Sequence, residues 1–408
     1  EVFFMNPFSR LFCRGYQICF RLALPLLPYR QPELLTAVTD IPSLLQREHI
    51  GRVLLITDAP LRALGLTQEL EKALSQAGIA CAVYDGVVPN PTVDNVEQCR
   101  ALYLESGAQA MIAFGGGSPM DCAKAAGARI ARPQKAVQAM GGLLKVLRKT
   151  PLLIAVPTTA GTGSETTLAA VITDPATHYK YPINDFALIP DAAVLDYHVT
   201  LGLPKQITAT TGMDALTHAV EAYIGRSTTK LTRAMAEESV TLIAKYLLRA
   251  YRDGQDAEAR TQMLQAAYDA GIAFTRSYVG YVHGVAHSLG GQYGVPHGLA
   301  NAVILPYFLE EYGPSCHKAL ARLARKAGIA EETSADEPAA RAFIAWVWEM
   351  NRAMEIPSCI PEIRAADIPA LAAHAAKESN PLYPVPKLMD ARELETMYYK
   401  LMPREDTP

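Results

Sequence analysis

Three stretches of the chain carry side chains whose types and spacing suit metal coordination. In Gly212-Met-Asp-Ala-Leu-Thr-His-Ala-Val-Glu221, Asp214 and His218 stand four residues apart in a helical pattern. Positions i and i+4 share one face of a helix, so a carboxylate oxygen and an imidazole nitrogen can meet at one point. Gly280-Tyr-Val-His-Gly-Val-Ala-His287 repeats that spacing with His283 and His287, and Val295-Pro-His-Gly298 adds His297. A single histidine among apolar neighbours is more often a hydrogen-bonded core residue than a ligand. Four of the nine histidines of the chain fall in these stretches, however, and that concentration favours a metal site. One carboxylate with imidazoles suits Fe(II) or Zn(II), leaves Mn, Co and Ni open, and does not suit Ca or Mg. Five candidates are more than a catalytic ion with an open coordination position takes, so one histidine is expected outside the coordination sphere. Spacing alone does not choose among His283, His287 and His297.

Two further stretches have the chemistry of anion sites. Phe114-Gly-Gly-Gly-Ser-Pro-Met-Asp121 lies between an apolar strand-like run and a helical one. The consecutive glycines Gly115, Gly116 and Gly117 let the backbone approach a pyrophosphate closely, and a helix start presents free N–H groups and a positive dipole end. Ser118 reads as the N-cap and Pro119 as the first helical residue. Val156-Pro-Thr-Thr-Ala-Gly-Thr-Gly-Ser-Glu165 also follows a strand-like run and offers the hydroxyls of Thr158, Thr159, Thr162 and Ser164. The plainer alternatives are a tight turn and a hydroxyl-rich cap on a helix starting near Glu165. Two such loops after strands of one parallel sheet favour a dinucleotide, although neither is the GxGxxG fingerprint. Asp58, at the end of the first long strand, is placed either to bind an adenosine ribose and repel a 2′-phosphate, or simply to cap the next helix.

The elements that must position these groups form two blocks. Between Gly51 and Asp196 short apolar runs (52–57, 80–84, 110–114 and 152–156) alternate with helical stretches (66–76, 93–106 and from about 120). Strands buried on both faces and alternating with helices imply right-handed βαβ units and a parallel sheet. From Ile207 onward strand-like runs disappear and helical periodicity takes over. The expected architecture is α/β plus all-α: a Rossmann-like nucleotide-binding domain over residues 1–200, then an all-helical metal-binding domain over 201–408. Residues 1–30 are an extra N-terminal segment. Its arginines at 10, 14 and 21 fall near helical spacing, predicting an amphipathic helix packed on its own domain or on a dimer mate, with contact to a membrane surface as the alternative. Arg10, Arg14, Arg21 and Pro25 break the run too often for a membrane span or for a secretory signal.

At 408 residues two domains are expected, and a net charge of -3 argues against a nucleic-acid partner. Seven cysteines, an odd number with no CxxC, point to reduced thiols in a cytoplasmic protein.

Taken together, GGGSPMD, PTTAGTGSE, Lys180-Tyr-Pro-Ile183, GMDALTHAVEAY, YVHGVAHSLGG and PHGLANAVILP resemble, in order, the signatures of the iron-containing (group III) alcohol dehydrogenase family. The similarity runs from about Arg52 to the C-terminus. The resemblance implies that Asp214, His218, His283 and His297 bind the metal and that His287 lies beside nicotinamide and substrate, where an imidazole's near-neutral intrinsic pKa makes it the candidate proton relay. It also implies that Gly116, Gly117, Ser118, Thr158, Thr159 and Lys180 line the cofactor, with Asp58 near the adenosine ribose; the same loops add Gly115, Asp121 and Thr162. The implied activity is NAD-linked interconversion of small primary alcohols or diols and aldehydes, with Fe2+ ahead of Zn2+, NAD ahead of NADP, and a homodimer or higher oligomer. The chain departs from the family at its N-terminal stretch, at Leu35–Asp40, at Thr275-Arg-Ser-Tyr-Val279 and at Gln292. A glycerol-type polyol dehydrogenase is the near alternative. 3-Dehydroquinate synthase shares the plan but needs several basic residues for its substrate, and only Arg276 stands near the ligands in sequence. A non-catalytic assembly protein that retains the site is the alternative of another class.

Overall fold

The computed structural model describes residues 5–175 and 179–403. The chain divides into two compact units, residues 28–203 and residues 1–27 with 204–408.

The 28–203 unit is built on a parallel sheet of six strands. In chain order the unit's strands are β1 (Glu33–Leu35), β2 (Arg52–Ile56), β3 (Ala80–Tyr84), β4 (Ala110–Gly115), β5 (Gly142–Leu143), β6 (Leu152–Pro157), β7 (Ala169–Asp174), β8 (Tyr179–Asn184) and β9 (Ala192–Val194). The large sheet has the order β1-β9-β6-β4-β2-β3 with every pairing parallel. Residues of β4 are buried throughout, which is why Ala-Met-Ile-Ala-Phe reads as one apolar run without alternation. Burying β-branched and aliphatic side chains on both faces gives two cores, one around Leu54, Met111 and Met120, the other around Leu55, Ile112 and Phe114. The short strands β1 and β9 and the separate three-stranded sheet β5-β8-β7 have no counterpart in the strand-like runs read from the sequence. They are two to six residues long, and β8 contains Pro182, so neither length nor periodicity announces them.

Residues after 204 are helical, carried by α7 (Lys205–Ile224), α8 (Lys230–Arg252), α9 (Ala257–Ser277), α10 (Tyr281–Tyr293), α11 (His297–Tyr312), α12 (Pro314–Lys326), α13 (Asp336–Ala353), α14 (Ile368–Ser379) and α15 (Ala391–Leu401). The earlier helices are α1 (Pro7–Ala23), α2 (Ile41–Arg47), α3 (Ala59–Ala63), α4 (Gln68–Gln76), α5 (Val93–Glu105) and α6 (Gly117–Ala131).

Helix α1 departs from expectation. The sequence predicts residues 1–30 as part of the sheet domain, yet residues 1–27 group with the helical unit. The cause is the loop Asn380-Pro-Leu-Tyr-Pro-Val-Pro386, whose prolines prevent regular structure and leave bare carbonyls that need donors. Gln17 Nε2 donates to Tyr383 O at 2.8 Å, and Arg14 donates to Val385 O at 2.7 Å and Pro386 O at 3.0 Å. Arg10 adds a bond to Leu388 O at 3.1 Å and an ion pair with Glu393 at 3.1 Å. Phe20 packs edge-on against Tyr278 with ring centroids 5.0 Å apart, so the unusual Thr275–Val279 stretch meets the N-terminal addition. Among the described residues no helix is long and apolar enough to cross a membrane, and all seven cysteines are free.

Candidate metal centre and nucleotide loops

Helices α7, α10 and α11 of the helical unit bring four donor side chains to one point. One ligand atom each of Asp214, His218, His283 and His297 lies within 4.8 Å of all the others. Asp214 and His218 come from α7, whose run from Gly212 to Ile224 is buried, so both side chains face the interior. Gly212 permits this, because a Cβ there would lie 2.3 Å from Leu247 of α8. Gly298 has the same role at the start of α11, where a Cβ would meet Thr210 O at 2.7 Å. His283 Nε2 is 4.0 Å and His297 Nε2 3.6 Å from Asp214 Oδ1. His218 is stacked between Phe274 and His283, with centroid distances of 4.1 and 4.5 Å. Asp214, His218 and His283 are buried, whereas the His297 side chain is 42% exposed and forms the open side.

Asn301, one turn beyond His297 and fully buried, shows what the cluster lacks. Its Nδ2 sits 2.7 Å from Asp214 Oδ1, 3.2 Å from His283 Nε2 and 3.1 Å from His297 Nε2. An amide nitrogen has two hydrogens, so it cannot serve three acceptors together, and Asn301 Oδ1 has no hydrogen-bond partner of its own. Acceptors converging from several sides in a buried site fit a cation. His283 is in the right state for one. Burial, and then the neighbouring histidines, hold its pKa well below the ordinary range, and neutral imidazole is the ligating form. Its Nδ1 is 2.6 Å from Glu221 Oε2. Glu221 in turn accepts from the N–H groups of Gly280 and Val282, both at 2.9 Å, and burial pushes its own pKa up to about 7.

His287 lies outside the four-atom convergence. Its ring stacks on His297 with centroids 5.3 Å apart, and its Nδ1 is 2.6 Å from Glu378 Oε1, which also accepts from Tyr383 Oη at 2.8 Å. Burial disfavours the imidazolium, but the Glu378 carboxylate outweighs it and raises the His287 pKa. Neither Glu221, Glu378 nor Asn301 was singled out from the sequence. Glu221 and Asn301 carried a detectable signal, standing three and four residues after ligand candidates on the same helix faces. Glu378, 91 residues from His287, carried none.

In the sheet unit both glycine- and hydroxyl-rich loops emerge at the C-terminal ends of adjacent strands, with Gly115 of β4 in register with Pro157 of β6. Gly115 has φ +150°, and a Cβ there would lie 2.6 Å from Pro119 Cγ. Helix α6 starts two residues earlier than expected, with Gly116 rather than Ser118 at the cap, so that Gly117 and Ser118 supply the free N–H groups. Gly116 and Gly117 face the second loop, their Cβ positions 3.5 Å from Thr159 Oγ1 and 3.4 Å from Thr162 Cγ2. That loop continues as a single 3₁₀ turn at Ser164–Thr166 rather than a helix. Thr158 is buried and donates its N–H to Gly115 O at 3.1 Å, which ties the two loops together. Asp121 accepts from Ser164 Oγ at 3.1 Å and Val171 N at 3.0 Å, and it is therefore engaged within the fold. Lys180 Nζ donates to Asn90 Oδ1 at 3.0 Å. Asp58 caps α3 by accepting from Leu61 N at 2.9 Å.

Comparison with known proteins adds the family. Residues 35–197 match the model for iron-containing alcohol dehydrogenase, and residues 208–402 match that for the Fe-containing alcohol dehydrogenase family, C-terminal. Lactaldehyde reductase of Escherichia coli (strain K12) is 37% identical over 82% of this chain and 88% of its own length. NAD-dependent methanol dehydrogenase of Bacillus methanolicus is 35% identical over 85% of this chain and 92% of its own. The crystal structure of a 1,3-propanediol oxidoreductase superposes with a TM-score of 0.88 at 32% identity, covering 92% of this chain and 99% of that one. This chain belongs to the iron-containing alcohol dehydrogenase family.

Proposed function

We propose that this chain is a metal-dependent, NAD(H)-linked dehydrogenase of small primary alcohols or diols, working reversibly with the corresponding aldehydes. The observation that carries this reading is the convergence of Asp214, His218, His283 and His297, whose ligand atoms lie within 4.8 Å of one another with three of the four residues buried. The family relationship supports iron, with zinc as the alternative for the same donor set. The NAD-dependent relative and the Asp58 carboxylate at the end of β2 support NAD over NADP.

Asp214, His218, His283 and His297 would hold a divalent ion, which would supply Lewis acidity when bound, and a dinucleotide on the sheet unit's loops would supply the hydride chemistry. The remaining work falls to side chains. Glu221 engages His283 Nδ1 and so turns Nε2 toward the cluster, as carboxylates behind ligating histidines do. Glu378 engages His287 Nδ1 and fixes that ring's tautomer, leaving Nε2 to hold or pass the alcohol proton. Gly116, Gly117 and Ser118 would hold the pyrophosphate at the start of α6, with Thr158, Thr159 and Thr162 alongside. Residues 28–203 are the cofactor domain in this reading and residues 204–408 the metal domain, in a cytoplasmic enzyme.

Anaerobically prepared protein should contain one equivalent of iron or zinc per chain and oxidise NADH, in preference to NADPH, with short aldehydes. Substoichiometric metal and no turnover across an aldehyde panel would instead mark an assembly protein.

A further inference from the structure

Helix α1 is mounted with its polar face inward. Arg10, Arg14 and Gln17 are spent on the carbonyls of the Pro-rich loop, and Cys13 and Gln17 are its buried residues. Consequently Phe8, Leu11, Phe12, Tyr16, Ile18 and Leu22, with Leu26 just beyond, face solvent at 37–86% exposure. Seven large apolar side chains at that exposure present roughly 800 Å², about what one partner contributes to a standard protein interface and more than a typical monomer leaves in one patch. The helix lies outside both ranges matched by the family models, and among the described residues this face stays exposed.

We propose that this face pairs with the same face of α1 in a second copy of the chain, the two helices antiparallel about a two-fold axis. Residues 8, 11, 15, 18 and 22 follow the alternating three-four spacing of a two-helix seam. Gly15 stands at the middle of that seam, and a Cβ there would meet nothing within 4 Å. Among the described residues of the single chain, nothing therefore calls for glycine inside this helix, where it is unfavourable. A second helix backbone crossing at that point does call for it. Crossing at Gly15 sets Phe8 against Leu22, Leu11 against Cys19 and Phe12 against Ile18 of the second copy, so apolar groups meet throughout. A membrane is the weaker occupant. Arg10 is paired with Glu393 and the Leu388 carbonyl, and Arg14 with the Val385 and Pro386 carbonyls, which leaves little uncommitted positive charge on α1 to attract anionic lipid, on a chain of net charge -3.

The test is sedimentation velocity on the full, metal-loaded chain. Leu11→Glu/Ile18→Glu should halve the assembled mass while far-ultraviolet circular dichroism and metal content stay at wild-type levels. An unchanged mass overturns the proposal. So does co-sedimentation of wild type, but not the variant, with phosphatidylglycerol vesicles. Should the glutamates impair folding, Leu11→Cys decides, because residue 11 faces Cys19 of the second copy: an interchain crosslink on mild oxidation that Cys19→Ser abolishes supports the pairing, and its absence overturns it.

Discussion

Glu221 and His283 lie 62 residues apart in sequence, and their side chains meet at 2.6 Å in the buried centre of the helical unit. Both Glu221 oxygens are committed as acceptors, to Gly280 N, Val282 N and His283 Nδ1. Glu221→Gln puts an NH₂ group where one of those oxygens accepts from an N–H, so a donor faces a donor and His283 loses its fixed orientation. Metal affinity, measured by competition with a chelator, should fall about 10–100-fold while the helical content is unchanged. Affinity equal to wild type would show that His283 is oriented by its packing alone.

His297 and His287 stack on each other, yet only His297 contributes an atom to the convergence with Asp214. His297→Ala should therefore lose bound metal on dialysis. His287→Ala should keep its metal and lose activity by about 100-fold or more, the range for a proton-transfer group. Glu378→Gln, which keeps an acceptor for Nδ1 but removes the charge, should fall between wild type and His287→Ala in kcat with metal content intact. Retention of metal by His297→Ala, or its loss from His287→Ala, would exchange the two roles.

The ligand set was partly legible in the sequence because helical spacing is a local property: Asp214 and His218 needed only the i,i+4 rule. Choosing among the three later histidines needed the distances between α7, α10 and α11, which no local pattern carries. Long strands such as β2 and β4 were legible because burial on both faces makes them continuous apolar runs. The three-residue strands β1 and β9 exist through pairing with distant segments, β1 with β9 across more than 150 residues and β9 also with β6, and their own sequences say little. Helix α1 was legible as amphipathic, but its orientation was not. The rule that apolar faces turn inward yields here to unsatisfied carbonyls between Pro381 and Leu388.

Asp58 caps α3 through Oδ1, and a carboxylate retains acceptor capacity on its second oxygen. Capping and ribose binding are thus compatible. Asp58→Ser separates them, since serine caps a helix about as well and carries no charge. Stability should change little, and the ratio of kcat/KM for NADH over NADPH should fall at least about tenfold, the equivalent of ~1.4 kcal/mol. An unchanged ratio would leave Asp58 as a cap alone.

Asp269 gives the helical unit a pH dependence away from the metal cluster. It is 4% exposed on α9, and burial raises its pKa from 3.8 to about 7, against the lowering effect of the bond from Gln265 Nε2 and with Glu238 adding to the rise. Below about pH 4 the carboxyl is protonated in both folded and unfolded chains, and its contribution to stability is fully present. Between 3.8 and about 7 the unfolded chain releases the proton first, so that contribution is progressively lost as pH rises through the folded value. Asp269→Asn keeps an acceptor for Gln265 and cannot ionise. Its stability should match wild type near pH 4 and exceed it at pH 8 by on the order of 2 kcal/mol, the sign and scale expected for a buried acid with a raised pKa. Thermal melts of both proteins at the two pH values decide this, and a stability difference that does not grow with pH would place the origin elsewhere.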